Sequence, residues 1–526
     1  MESLRQARLR DLTDPATSNQ AYDLALIYKI LIVSGIFKLL LAFSIPLTLD
    51  EAYATAVARE YSLSFFEHPP ISFWMPVLAA DLTGINATIV YRFPFLLAGL
   101  GITWMMFLIG REIGGSRVGV WSAVLFCAAP SPFLASGVWA VPDGPLNLAS
   151  TIVVYFLVRI ARFEGTAPLK LWLYAGVAMA FALASKYQAA WLPVGVLLFM
   201  LAHPVGRRWF LHPGFYLAGL IGLIGLLPVI LWNAGHDWVT FRFHGDRITG
   251  GLHFGHFTGM LLVQAMYLLP TGMLVAGIGL WYGVRNRARA DVFLLVFLAV
   301  GPVLIFNYIN LTSTASLAHW SMPGWLLAFL LAAVWLNARG AVTVRRIWRW
   351  MVGLFAVVWL VLGLLIVQSN TGWLTRPFYE RPPAWDNTIS LFDFGDLKPA
   401  LVKRGLWQTT DVFMANSWAY GGLLDSFMGS EKPIRIFDLN AAHHFVYLSD
   451  ADALGRALFM EPSRLTDVAV TDAQTLKSAR SLDPNATLLP PLTLNRGGQP
   501  YVSVSVVSLT LLQTTLALQQ SLSPAQ

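Results

Sequence analysis

Two adjacent carboxylates, Asp50 and Glu51, stand where the first long apolar run ends, at the head of residues 48–74, TLDEAYATAVAREYSLSFFEHPPISFW. The same stretch carries Arg59 and His68 and turns at Pro69-Pro70. Only 12% of the chain is charged, so ionisable groups gathered beside an apolar segment need a cause. A carboxylate at a membrane edge can act as general base on an incoming hydroxyl. The competing reading is structural: Asp50 as N-cap of an interfacial helix, with Glu51 in its first turn, where the helix dipole favours negative charge.

Three later positions carry comparable chemistry. Asp143 lies in V-P-D-G-P, where two prolines and a glycine constrain the backbone. Alone it reads as a turn residue; a placement on the same membrane side as Asp50 favours function. Lys186, in A-S-K-Y-Q, ends an apolar run. It reads equally as a cation snorkelling to head groups or as an anion ligand, and a charge so near hydrocarbon calls for a partner. Residues 236–247, HDWVTFRFHGDR, interleave Arg242, His244 and Arg247 with aromatics, as an interfacial belt also would. His319-Trp320 open a further apolar run, where a lone histidine reads more readily as an interfacial residue than as a ligand.

Other chemistries lack their residues. The ten histidines offer no H-x-x-x-H or H-E-x-x-H zinc spacing. No P-loop, dinucleotide fingerprint or nucleophile elbow stands in a credible context. The single cysteine, Cys127, excludes an internal disulfide. An outward-facing site with no nucleotide cradle is expected to draw its activated substrate from the membrane.

The elements that must position these groups are membrane helices. The chain has 526 residues, is 56% hydrophobic and has a mean hydropathy of +0.59, which excludes an ordinary soluble domain. Apolar stretches predict spans at 24–44, 90–110, 118–136, 144–162, 170–186, 188–203, 214–233, 257–283, 291–309, 320–338 and 348–368. The first reads as a retained span rather than a cleaved signal. The net charge of +7 sits in short loops, so it suggests anionic lipid rather than nucleic acid. With the N-terminus inside, every inner segment is rich in Arg and Lys. The outer loops between spans hold only Arg59, Lys186, Arg242 and Arg247. By the positive-inside rule, Asp50, Asp143, Lys186 and everything after residue 369 then face outward. Residues 71–80 are too short to span and read as a juxtamembrane or re-entrant segment. P-S-P at 130–132 breaks the backbone at the outer end of a span.

Beyond residue 369 the composition turns polar. Residues 411–416, 434–438, 467–471 and 501–507 read as strands, and 417–428 and 472–480 as helices. The expected organisation is a transmembrane domain over 1–368, with an outer loop at 45–89, and a small α/β domain over 369–526.

In order, D-E-A-Y at 50–53, A-R-E at 58–60, H-P-P at 68–70, V-P-D-G-P-L at 141–146, S-K-Y at 185–187, L-W-N-A-G-H-D-W-V-T-F-R-F at 231–243 and A-H-W-S-M-P-G-W at 318–325 resemble the GT-C glycosyltransferases. The likeness is to the bacterial branch related to protein O-mannosyltransferases and to the aminoarabinose and galacturonic-acid transferases of lipid A and lipopolysaccharide. It runs from about residue 24 to 450. It implies a polytopic all-α membrane protein with about eleven transmembrane helices and a small C-terminal α/β domain in the periplasm. It further implies inverting transfer of one sugar from a polyprenyl-phosphate donor to an envelope acceptor at the outer face of a bacterial inner membrane. Lipid A or lipopolysaccharide is the favoured acceptor; a protein hydroxyl is the alternative. Asp50 would be the base with Glu51 beside it, and Asp143 would position acceptor or cation. Lys186, Arg59 and Arg247 would hold the phosphate, and His68, Tyr53, Tyr187, His319 and Trp320 would line the cavity. No metal or other cofactor is expected, since fixed cations can carry the leaving group's charge; a divalent cation is the less favoured alternative. A monomer in contact with membrane lipids is expected, with no nucleic acid. A transporter or flippase for a lipid-linked sugar, and a non-catalytic scaffold, are the competing function classes.

Overall fold

The computed structural model describes residues 15–246, 250–375, 377, 386–437 and 443–513. Arg247 lies outside the described residues, as do residues 1–14 with their three arginines.

Apolar runs of this length satisfy their backbone polar groups internally only as helices, and each of the eleven expected stretches is helical. Six are long and apolar enough to cross a membrane: Ala21–Ser44, Thr88–Gly114, Asp143–Arg162, Ala290–Thr312, Ala318–Asn337 and Val342–Thr371. Two more are bent pairs, Pro213–Ile224 with Leu227–Ala234 at 44° and Phe254–Leu268 with Pro270–Arg285 at 97°. Among the described residues, length and composition therefore give six to eight crossings against the eleven expected. The other three stretches are the shorter helices Ser116–Ala128, Leu169–Leu183 and Tyr187–Ala202. The sharper bend falls at Leu269, whose φ is 62°. Pro270 follows it, and a residue before proline is driven out of the helical region. The chain is an integral membrane protein.

The chain divides into two compact units. The first comprises Met1–Leu41, His68–Ser72 and Arg92–Trp359. Its core runs along the Met322–Asn337 helix, which is buried on nearly every side by Leu, Ala, Phe and Trp side chains of neighbouring helices. Gly279 lets one neighbour approach closely: a Cβ there would sit 2.4 Å from the Ala332 nitrogen.

The second unit comprises Ala42–Glu67, Phe73–Tyr91 and Leu360–Gln526. Most of the expected outer loop thus shares a core with the C-terminal part. Tyr53, Val57, Phe65 and Phe73 pack with Phe413, Leu423, Leu458 and Val504. The sheet has the order β2-β1-β3-β5-β4. Its strands are β1 (Val412–Ala415), β2 (Ile434–Ile436), β3 (Gly455–Arg464), β4 (Thr487–Arg496) and β5 (Gln499–Leu511). β1 runs parallel to β2 and β3, while β5 is antiparallel to β3 and β4.

Three of the expected strands form, at β1, β2 and β5. The fourth does not: residues 467–471 enter the Val468–Leu482 helix. Its β-branched residues lie on a turn whose buried face is Thr475, Ala479 and Leu482, a helical spacing that outweighs strand propensity.

Candidate functional site

In the first unit, Asp143 opens the Asp143–Arg162 helix, where the amide dipoles favour a carboxylate. Lys186 holds an extended backbone between the Leu169–Leu183 helix and the 3-10 turn Tyr187–Ala190. Its Nζ donates to Asp143 Oδ2 at 2.8 Å, with both side chains buried. The two sequence-predicted residues therefore meet across 43 positions of chain. Asp143 takes one of three ammonium donors, and among the described residues no other group accepts from Lys186.

Three further groups stand around this pair. His319, on the 3-10 turn Ala318–Ser321, interacts electrostatically with both Lys186 and Asp143. Tyr267 interacts with Asp143. The turn bearing His68 is fastened to the chain before Lys186: Ile71 N donates to Ala184 O at 3.0 Å and Ser72 Oγ to Ser185 O at 2.5 Å. Tyr187 packs edge-on to His244 at 5.3 Å, and Trp320 edge-on to Phe306 at 6.0 Å.

A small cavity of about 20 Å³ lies one helical turn along from Asp143. Asn147, Gln188 and Pro323 line it, with Trp191, Leu298 and Leu326. The Asn147 Oδ1 and Gln188 Oε1 atoms are buried without a protein partner among the described residues. The arrangement sets a paired cation and two unpartnered amide oxygens close together in sequence beside a small, mostly apolar cavity.

In the second unit, the DEAY segment forms the helix Leu49–Ala58. Its N-cap is Thr48, not Asp50. Glu51 closes the capping box: its Oε2 accepts from Thr48 N at 3.0 Å and from Thr48 Oγ1 at 2.9 Å. That places Glu51 at the helix start, bonded to the cap residue. Glu51 is fully buried and Asp50 exposed.

Tyr53 was expected in a cavity wall and is instead packed into the second unit's core. Its hydroxyl donates to Glu67 Oε1 at 2.8 Å and accepts from His444 N at 2.7 Å. Burial and the Glu67 carboxylate push the phenol above its usual range. Arg59 was expected on a phosphate but already has two carboxylates, Asp425 at 2.6 Å and Asp450 at 2.8 Å. Burial raises Asp425 to about 6 despite Arg59, so at neutral pH it remains ionised and paired. Among the described residues no group of three or more His, Cys, Asp or Glu is placed to hold a metal ion.

Residues 67–232 match the dolichyl-phosphate-mannose-protein mannosyltransferase family. A crystal structure of ArnT from Cupriavidus metallidurans in the apo state superimposes with TM-score 0.60 at 16% identity, covering 98% of this chain and 100% of that one. The same protein bound to undecaprenyl phosphate gives TM-score 0.58 at 15% identity, covering 97% and 100%. The fold is that of the GT-C glycosyltransferases. No curated protein sequence matches the chain.

Within this GT-C fold, Asp143, Lys186 and His319 stand out separately in the sequence, but their meeting, and the part of Tyr267, does not. Asn147 and Gln188 gave one available signal: Asn147 is one helical turn after Asp143, and Gln188 directly follows Tyr187. Tyr267, Asp425 and Asp450 gave none.

Proposed function

We propose that the chain transfers one sugar from a polyprenyl-phosphate carrier to an acceptor hydroxyl in the bacterial envelope, at the outer face of the inner membrane. The observation that carries this reading is the buried Lys186–Asp143 pair, whose ammonium keeps donors to spare among apolar helices. A lipid monophosphate needs both: a cation for its head and apolar surface for its chain. The full-length likeness to a protein solved with undecaprenyl phosphate supports the same donor class.

In this reading Asp50 accepts the proton of the acceptor hydroxyl. The hydroxyl oxygen bonds to the anomeric carbon as the bond from that carbon to the phosphate oxygen breaks, inverting the centre. The electron pair leaves on the polyprenyl phosphate, where Lys186 stabilises its charge. Asp143 fixes Lys186 and offsets its cost of burial. Fixed positive charge supplies what a divalent cation otherwise would.

Lipid A or lipopolysaccharide is the favoured acceptor, in line with the likeness to ArnT. The family match over residues 67–232 favours a second reading, a protein hydroxyl acceptor. Mass spectrometry of envelope lipids and proteins from a deletion strain separates them. The missing sugar is expected on lipid; its loss from protein alone selects the second. Complementation with Asp50→Asn is expected to lower transfer by about 100-fold or more while the protein accumulates normally. Wild-type modification by that variant removes Asp50 from the chemistry.

A further inference from the structure

The Leu49–Ala58 helix has only ten residues, too few to stand alone in water. Thr48 and Glu51 cap its start. Nearby, Tyr53 donates to Glu67; much of what else holds it comes from residues more than 360 positions away. Arg59, its C-cap, spreads its guanidinium between two acids. Nη1 donates to Asp425 Oδ1 at 2.6 Å, and Nη2 donates to both Asp450 oxygens at 2.8 Å. Glu60 accepts from Ser449 N at 2.9 Å and from Ser449 Oγ at 2.6 Å. Tyr53 is held by His444 N, and Phe66 N donates to His444 Nδ1 at 3.1 Å. Gly422, on the Trp418–Met428 helix, lies so close that a Cβ there would be 2.6 Å from both Tyr53 N and Tyr53 Cα.

These contacts grip one short helix along its length: backbone against backbone near Tyr53, and a forked ion pair at its end. Ion pairs on open surfaces contribute little. This one differs, because the Asp425 side chain is fully buried and that of Arg59 is only 20% exposed. Removing the arginine would leave a buried carboxylate without its partner. The helix carries Asp50 in its first turn, so its orientation sets where that carboxylate points.

We propose that the C-terminal part of the chain serves as a clamp for the helix bearing Asp50, with Arg59 as its positioning residue rather than a phosphate ligand. The inference rests on the reading of Asp50 as the base. A misplacement of about 1 Å can cost two orders of magnitude in rate, so a clamp of this kind acts on turnover before it acts on binding.

The test uses the full-length protein in three variants: Arg59→Met, Arg59→Lys and Gly422→Ala. Envelope modification in a complemented deletion strain reports transfer. Undecaprenyl phosphate is the binding probe for the purified protein, and thermal melting reports folding. Arg59→Met is expected to cut transfer per folded molecule at least about ten-fold, with affinity for undecaprenyl phosphate unchanged within about two-fold. Arg59→Lys is expected to restore part of it. Gly422→Ala, which leaves every charge in place, is expected to reduce transfer with the same unchanged affinity. Affinity falling in step with transfer makes Arg59 a phosphate ligand and overturns the proposal. Wild-type transfer per folded molecule with only a lowered melting temperature reduces the clamp to ordinary cohesion and overturns it too. A deletion strain with an unaltered envelope sinks the underlying transfer reading instead, a result visible before any variant is made.

Discussion

Lys186 and Asp143 are worth more to each other than to the fold. Taking two charges out of water costs several kcal/mol per ion, and their attraction offsets this only while both are present. Lys186→Met is therefore expected to destabilise the protein by roughly 3–5 kcal/mol, because Asp143 is left buried and unpaired. Lys186→Met with Asp143→Asn is expected to be less damaging than Lys186→Met alone. Thermal melting of the detergent-solubilised variants checks the order, and a double variant less stable than the single one refutes the pairing argument. Transfer is expected to fail in both, since neither retains the cation. The pair was legible as two suspicious residues because each placed a charge where apolar sequence surrounds it. Arg59 looks equally conspicuous, but its partners, Asp425 and Asp450, are 366 and 391 positions away. Spacing along the chain shows that a charge needs a partner, not which partner it has.

At the scale of elements, the helix that carries Asp143 depends on a corner built just before it, and that corner contains a residue the apolar pattern conceals. Lys38 is fully buried in the first long helix. Its Nζ donates to Phe133 O at 2.8 Å and stands 3.3 Å from the centre of the Phe133 ring. Phe133 lies in the last turn of the short Pro130–Ala135 helix, where Ser136 N donates to Pro132 O and Val138 N to Leu134 O. The ammonium satisfies Phe133 O beside them and complements the negative end of the dipole. Two glycines make room: a Cβ on Gly137 would meet Lys38 Nζ at 2.6 Å, and one on Gly99 would meet Gly137 Cα at 2.5 Å. Gly137→Ala is expected to destabilise by about 1–3 kcal/mol, the usual cost of overpacking. Lys38→Met in the same background should relieve part of that clash, as thermal melting of single and double variants would show. If Gly137→Ala melts like the wild type, the corner is not tight. Where local pattern governed, elements were readable: the apolar runs, and the β-branched strands β1, β2 and β5. β3 and β4 were not. Leu, Met and Ala rather than β-branched residues fill β3, and Pro490-Pro491 interrupt β4 at a register shift on the sheet edge, where prolines are tolerated.

For the whole molecule, the sequence suggested a cut near residue 368, whereas the second unit also takes in residues 42–67 and 73–91. Composition changes mark where a chain leaves the membrane, but they cannot show that an early loop returns to a late domain. The charge distribution bears on a different property, the direction of insertion. Arginines crowd the connections expected inside, such as Arg207 and Arg208, while the polar C-terminal part is expected outside. The single cysteine makes this directly measurable. In a Cys127→Ala background, Lys477→Cys and Arg208→Cys each place one thiol at an exposed position. A membrane-impermeant maleimide added to intact spheroplasts is expected to label the Lys477→Cys protein at once. The Arg208→Cys protein should react only after the membrane is opened. Labelling in the reverse order would put Asp50, Asp143 and Lys186 on the cytoplasmic side, where soluble nucleotide sugars are available. The argument for a membrane-borne donor would then lose its premise. The expected order leaves a lipid-linked carrier in the outer leaflet as the donor source that the proposed transfer requires.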